Sequence, residues 1–111
     1  MTGVQTCALP IFAAKELSPV ELTRACLARV HALDKELHAF VYLTEEQALA
    51  EARAAERAIM GGGPSGPLHG IPIGLKDIVD TKGVPTTCQS KILQDNIPDR
   101  DAACEIGRAH V

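Results

Sequence analysis

Residues Gly66-Pro67-Leu68-His69-Gly70-Ile71-Pro72-Ile73-Gly74-Leu75-Lys76-Asp77 set one lysine at the end of an almost wholly apolar run. An ammonium is costly to bury, and relief comes from snorkelling, an ion pair or loss of the proton. A neutral lysine is a base, so Lys76 is the candidate catalytic residue. A Lys-Asp pair after an extended run also serves simply to turn a chain into solvent, and position alone leaves both readings open. Leu68–Leu75 is expected to be extended, with Pro72 removing one ladder donor and favouring an edge or interrupted pairing.

Beyond Asp77, Ile78–Val84 reads as a second strand with a turn at Lys82-Gly83. Thr86, Thr87 and Ser90 bring hydroxyls close to the lysine in sequence and read as turn and cap residues. Upstream, Ser18-Pro19-Val20-Glu21 is a helix start, with Ser as N-cap, Pro at N1 and Glu completing a capping box. Leu22, Cys26, Val30, Leu33 and Leu37 recur at helical spacing and predict its apolar stripe. Ala39–Leu43 reads as a short strand. Thr44-Glu45-Glu46-Gln47 predicts a second capping box and helix, packing through Ala48, Leu49, Ala52, Ala55 and Ile59. Gly61-Gly62-Gly63 ends that helix. It follows a helix and lacks the Gly-Lys-Ser/Thr sequel, so it is no phosphate cradle.

The wording from Gly66 to Asp77 resembles the lysine segment of the amidase signature family of serine amidohydrolases. Asp80-Thr81-Lys82-Gly83-Val84-Pro85-Thr86-Thr87 and Ser90-Lys91-Ile92-Leu93 continue in the family's order, while Ser18–Leu22 and His38–Val41 resemble its opening helix and the segment after it. The resemblance runs from about Leu17 to Ala102, and Gln89 departs from it, standing where relatives more often carry a small residue. It implies an α/β fold, a mixed sheet covered by helices, of which this chain would supply only the first helices and strands. It also implies a Ser-cisSer-Lys relay: Lys76 takes a proton from a bridging serine, which takes one from the nucleophile. Both serines belong to a downstream Gly-Gly-Ser-Ser-Gly-Gly type of segment. The chain's serines are Ser18, Ser65 and Ser90, none in that setting. The base is present and both serines are missing, so the chain alone is expected to be inactive.

The two ends read differently. Residues 2–11 can be translated from act gga gtt cag acg tgt gct ctt ccg atc, and residues 105–111 from gag atc gga aga gca cac gtc. Both strings resemble a common sequencing adapter, in opposite orientations. Residues 1–11 and 105–111 are therefore expected to be non-native, leaving 12–104 as the amidase piece.

A formal net charge of −3 without a basic cluster argues against direct nucleic-acid binding. No apolar stretch approaches the roughly 20 residues that span a bilayer. Cys26, Cys88 and Cys104, with scattered histidines, lack zinc or disulfide spacing and fit reduced thiols of a cytoplasmic protein; neither metal nor cofactor is expected. With two Phe and one Tyr there is little large apolar area to bury, and independent stability should be marginal. Three functions are carried forward. The first is a hydrolytic amidase acting on a small carboxamide through an acyl-enzyme. The second is the amidase subunit of a tRNA-dependent amidotransferase, working with partner subunits; Ser90–Leu93 and Asp101-Ala102 suit it. The third is a non-catalytic helical interaction module, which would leave the lysine segment unexplained.

Overall fold

The computed structural model describes residues 11–12, 14–63 and 66–104. Of the expected non-native segments 1–11 and 105–111, all but Ile11 lie outside them. The chain forms two compact units, one of residues up to Phe40 with Thr44–Pro72, the other of Val41–Leu43 with the residues from Ile73 onward.

The first unit is built on helix α1, Pro19–Leu37, and helix α2, Glu45–Gly62, which pack against each other. Helix α1 starts as its sequence dictates. The Ser18 hydroxyl accepts from Glu21 N at 3.0 Å, and Glu21 Oε2 accepts from Ser18 N at 2.9 Å, so the box is reciprocal. Its far end is fixed by Asp34. The Asp34 carbonyl takes the N–H of left-handed His38, and its carboxylate takes Ala39 N at 2.6 Å and Phe40 N at 3.2 Å. The carboxylate thus engages the N–H groups of residues 39 and 40, where the sequence predicts a strand.

The buried face of α1 corrects the expected stripe. Pro19, Val20, Thr23 and Leu27 are buried, whereas Cys26 is exposed and Leu33 and Leu37 are 38% and 67% exposed. Thr23 lies on the buried row at helical spacing from Val20 and Leu27, and its polarity masks that row in the sequence. Helix α2 buries Ala52, Ala55 and Ile59 and half-buries Ala48 and Leu49, as expected. Its capping box does not form. Thr44 makes no side-chain cap bond, and Gln47 instead donates to Glu51 at 2.9 Å, one helical turn on. Gly63 ends the helix at φ +89°, its N–H reaching Ile59 O. Phe12 completes this core at 1% exposure.

Gly66–Ile71 is a pair of turns, closed by His69 N to Gly66 O at 3.3 Å and Ile71 N to Leu68 O at 3.1 Å. Gly70 stands at φ +88° in the second. A β-carbon there would lie 2.8 Å from Pro19 Cγ and 3.4 Å from Ile59 Cδ1, so the glycine lets the backbone rest directly on the start of α1 and the end of α2.

The second unit has no helix beyond a single 3₁₀ turn, Lys91–Leu93, before residue 103, and no strand occurs among the described residues of the chain. The strands expected at Ala39–Leu43, Leu68–Leu75 and Ile78–Val84 are thus corrected, and the sheet of an α/β fold is not visible in this piece. Turn chemistry takes Leu68, Ile78 and Val79: Val79 N bonds Lys76 O at 3.0 Å. Ile71–Lys76 meets no partner strand, and lone strands are unstable. The expected turn at Lys82-Gly83 is present, with Val84 N on Thr81 O and Gly83 at φ +75°.

Hydrogen bonds organise this unit more than burial does. Thr86 is its sole fully buried residue among those described. Asn96 embraces it, taking Thr86 N on its carbonyl at 2.9 Å and giving its side-chain N–H₂ to Thr86 O at 2.9 Å. Lys82 N to Asp101 Oδ1, Gly83 N to Pro98 O and Ala102 N to Asp80 O tie in the final segment. Ile73, Ile78, Ile92 and Ile97 all remain at least 47% exposed.

Candidate functional site

Lys76 leaves the apolar run and enters a turn whose opposite edge is Thr87–Ser90. With Asp77, Ile78, Cys88 and Gln89 it lines an open hollow of about 260 Å³ within the second unit. The ammonium is exposed, and Ile73 and Leu75 before it are 47% and 42% exposed. The apolar approach read from the sequence is therefore present as chemistry but does not enclose the amine here. No hydrogen bond or ion pair engages the Lys76 ammonium among the described residues, although its carbonyl accepts Val79 N.

Asp77 organises the site, and the sequence reading passed over it. Its Oδ1 accepts Thr87 N at 2.8 Å; its Oδ2 accepts the Thr87 hydroxyl in a short bond and Gln89 N at 3.3 Å. Its carbonyl accepts Cys88 N at 2.8 Å. Three successive backbone N–H groups thus converge on one residue, a concave arrangement suited to negative charge. The Thr87 hydroxyl, then the Thr87 amide, hold the Asp77 carboxyl below its ordinary value of 3.8; desolvation opposes them, and Gln89 N–H adds a further lowering.

The turn itself is closed by Ser90 N on Thr87 O at 2.8 Å, with Cys88 at φ +49° and Gln89 at φ +55°. Positive φ at both central positions is the type I′ requirement, normally met by Asn-Gly and here by two residues with side chains. Nothing in local composition signals this; the distant partner, ten residues upstream, does.

The hydroxyls behave as the sequence suggests. Thr86 donates to Val84 O at 3.2 Å, Thr87 donates to Asp77, and Ser90 Oγ accepts Ile92 N at 3.2 Å as a cap. None is a free nucleophile beside the lysine. Ser18 is likewise consumed as an N-cap.

A larger hollow of about 560 Å³ belongs to the first unit, where Lys15, Arg24 and Arg53 alternate with Glu16, Glu21 and Glu56. Mixed charges with no paired acid and base give it no evident chemistry. Among the described residues no three His, Cys, Asp or Glu side chains converge as metal ligands, and no helix is long and apolar enough to cross a membrane.

Known proteins share this wording. The model of the Amidase family matches residues 21–104. The glutamyl-tRNA(Gln) amidotransferase A-subunit of Geobacter metallireducens is 54% identical over 87 residues, covering 78% of this chain and 18% of that protein. The protein of the same name from Acidothermus cellulolyticus is 46% identical over 101 residues, covering 91% and 20%. The Chloroflexus aggregans protein of that name is 52% identical over 90 residues, covering 81% and 18%. The chain thus spans about a fifth of the length of the curated relatives it matches.

Proposed function

This chain belongs to the amidase family, and on that premise we propose that it is a piece of the amidase subunit of a glutamyl-tRNA(Gln) amidotransferase, carrying the base of its catalytic relay. The observation that carries the reading is the 54% identity to a protein of that name over 78% of the chain. It moves the choice from the general hydrolytic amidase, which the sequence alone put first, to the amidotransferase. Lys76–Asp80 suits both, so the general amidase acting on a small carboxamide is the second reading.

In the whole enzyme a serine outside this chain attacks the side-chain carboxamide of glutamine. The C–N bond breaks, ammonia leaves, and an acyl-serine ester remains for water to hydrolyse. Lys76 is the terminal base: it takes the nucleophile's proton through the bridging serine and returns it to the departing nitrogen. For this the amine must be neutral, which requires a desolvated setting. In this chain the amine is exposed, so the desolvating cover must come from the remaining four-fifths of the polypeptide. The isolated chain, lacking both serines, hydrolyses no amide.

The test is the full-length parent protein purified with the partner subunits encoded beside it. Glutamine hydrolysis stimulated by the partners and by Glu-tRNA is expected. Partner-independent turnover of simple carboxamides, with glutamine refused, would overturn the amidotransferase reading in favour of the general amidase.

A further inference from the structure

We propose that Asp77 is a positioning residue for amide hydrolysis: it clamps the Thr87–Ser90 turn in a left-handed conformation that walls the hollow beside Lys76. This rests on the function proposed above.

Two consecutive residues with β-carbons, Cys88 and Gln89, sit at φ +49° and +55°. Such residues avoid this region, and those that tolerate it best are Asn, Asp and His. Strained backbone of this kind persists only where surrounding contacts over-determine it. Most of the contacts here come from one residue, and the rest lie within the turn, Ser90 N on Thr87 O at 2.8 Å and Gln89 N on Thr87 Oγ at 3.1 Å. Thr87, Cys88 and Gln89 each give their N–H to Asp77, and Thr87 gives its hydroxyl as well.

Asp77 directly follows Lys76, so the clamp joins the lysine's own backbone to the opposite wall of its hollow. A bridging serine arriving from elsewhere in the polypeptide must find the amine at hydrogen-bonding distance. Displacement by about 1 Å of a group in such a relay costs on the order of 10²-fold in rate. The carboxylate offers acceptors only, matching a set of donors only. An asparagine of the same shape would turn a donor toward one of them. Cys88 and Gln89 themselves line the hollow, so the same clamp fixes which side-chain atoms the substrate meets.

The experiment uses the full-length parent enzyme with its partner subunits. Asp77→Asn should lower kcat by about 10²-fold with KM and the melting temperature little changed. Thr87→Ser, which keeps the hydroxyl, should retain activity, whereas Thr87→Val should follow Asp77→Asn. Adding Cys88→Gly and Gln89→Gly to Asp77→Asn should recover much of the loss, because glycine holds positive φ without a clamp. An Asp77→Asn enzyme with kcat close to the parent's, or a loss that tracks the melting temperature and resists the glycine pair, overturns the proposal. A parent enzyme inactive on every carboxamide overturns the functional reading instead. The clamp is then judged by crystal structures: φ still positive at both residues in Asp77→Asn refutes it, and relaxation of the turn supports it.

Discussion

Gly70 and Gly63 share a positive φ but differ in what a side chain would meet. Both belong to the first unit, and their φ values are +88° and +89°. An added β-carbon at Gly63 meets nothing within 4 Å, while at Gly70 it lies 2.8 Å from Pro19 Cγ and 3.3 Å from Pro19 Cβ. An alanine at either site bears the strain of a positive φ, about 1–3 kcal/mol; Gly63, with ψ 172°, lies in a region essentially confined to glycine. At Gly70 overpacking adds about 1–3 kcal/mol, since the Pro19 ring is fixed to the first turn of α1 and can yield only by a change of pucker, which moves Cγ but leaves Cβ in place. Gly63→Ala should therefore lose about 1–3 kcal/mol and Gly70→Ala about 2–6 kcal/mol. Urea unfolding followed by helical circular dichroism reads both, because α1 and α2 carry the signal. Equal midpoints for the two variants would refute the claim that Gly70 exists to admit Pro19.

The two helix starts give a second pair: Ser18→Ala should cost about 1 kcal/mol, and Thr44→Ala, which removes no cap bond, should be near neutral in the same melts. In the full-length enzyme, Lys76→Arg and Lys76→Ala should lose the chemical step by similar large factors, because guanidinium cannot give up its proton; single-turnover rates would expose a surviving Lys76→Arg enzyme, which would make the lysine a fixed charge and no base. Asp77, with its carboxyl depressed below 3.8 in the folded state, stabilises the Thr87–Gln89 turn above that pH, and the contribution disappears as pH falls through the lower folded value. Amide shifts of Thr87 and Gln89 should thus titrate below 3.8, and a midpoint above it would contradict the clamp. Resequencing the locus should replace residues 1–11 and 105–111 and leave 12–104 intact; genomic coding for either end would end the adapter reading.

What the sequence made legible was local. Ser18 and Glu21 cap each other within one turn, Ala52, Ala55 and Ile59 share one face, and Gly83 turns where glycine is needed. What it concealed depends on distance or on missing partners. Thr23 hid the buried row of α1, and the apparent stripe through Cys26, Leu33 and Leu37 points outward instead. Gln47 found Glu51 in place of the Thr44 backbone. The apolar runs at 68–75 and 78–84 look like strands because their side chains suit a sheet, but pairing requires neighbours that these residues do not meet. Lys76 was conspicuous by its surroundings in sequence, whereas Asp77 took its meaning only from Thr87, ten residues on.

A unit whose buried centre, among the described residues, is one threonine hides very little hydrocarbon from water. The heat capacity of unfolding and the sensitivity to urea both grow with the apolar and total surface newly exposed. Opening residues 73–104 should therefore be nearly athermal in heat capacity and shallow in denaturant, a broad fade with no sharp melt. Amide exchange there should be fast and local, limited by single bonds to Asp77, Asn96 and Asp101. Only when Ile73, Ile78, Ile92 and Ile97 acquire a covering surface would the segment melt cooperatively, so the sharpness of its transition is itself a gauge of how much of the parent protein has been restored.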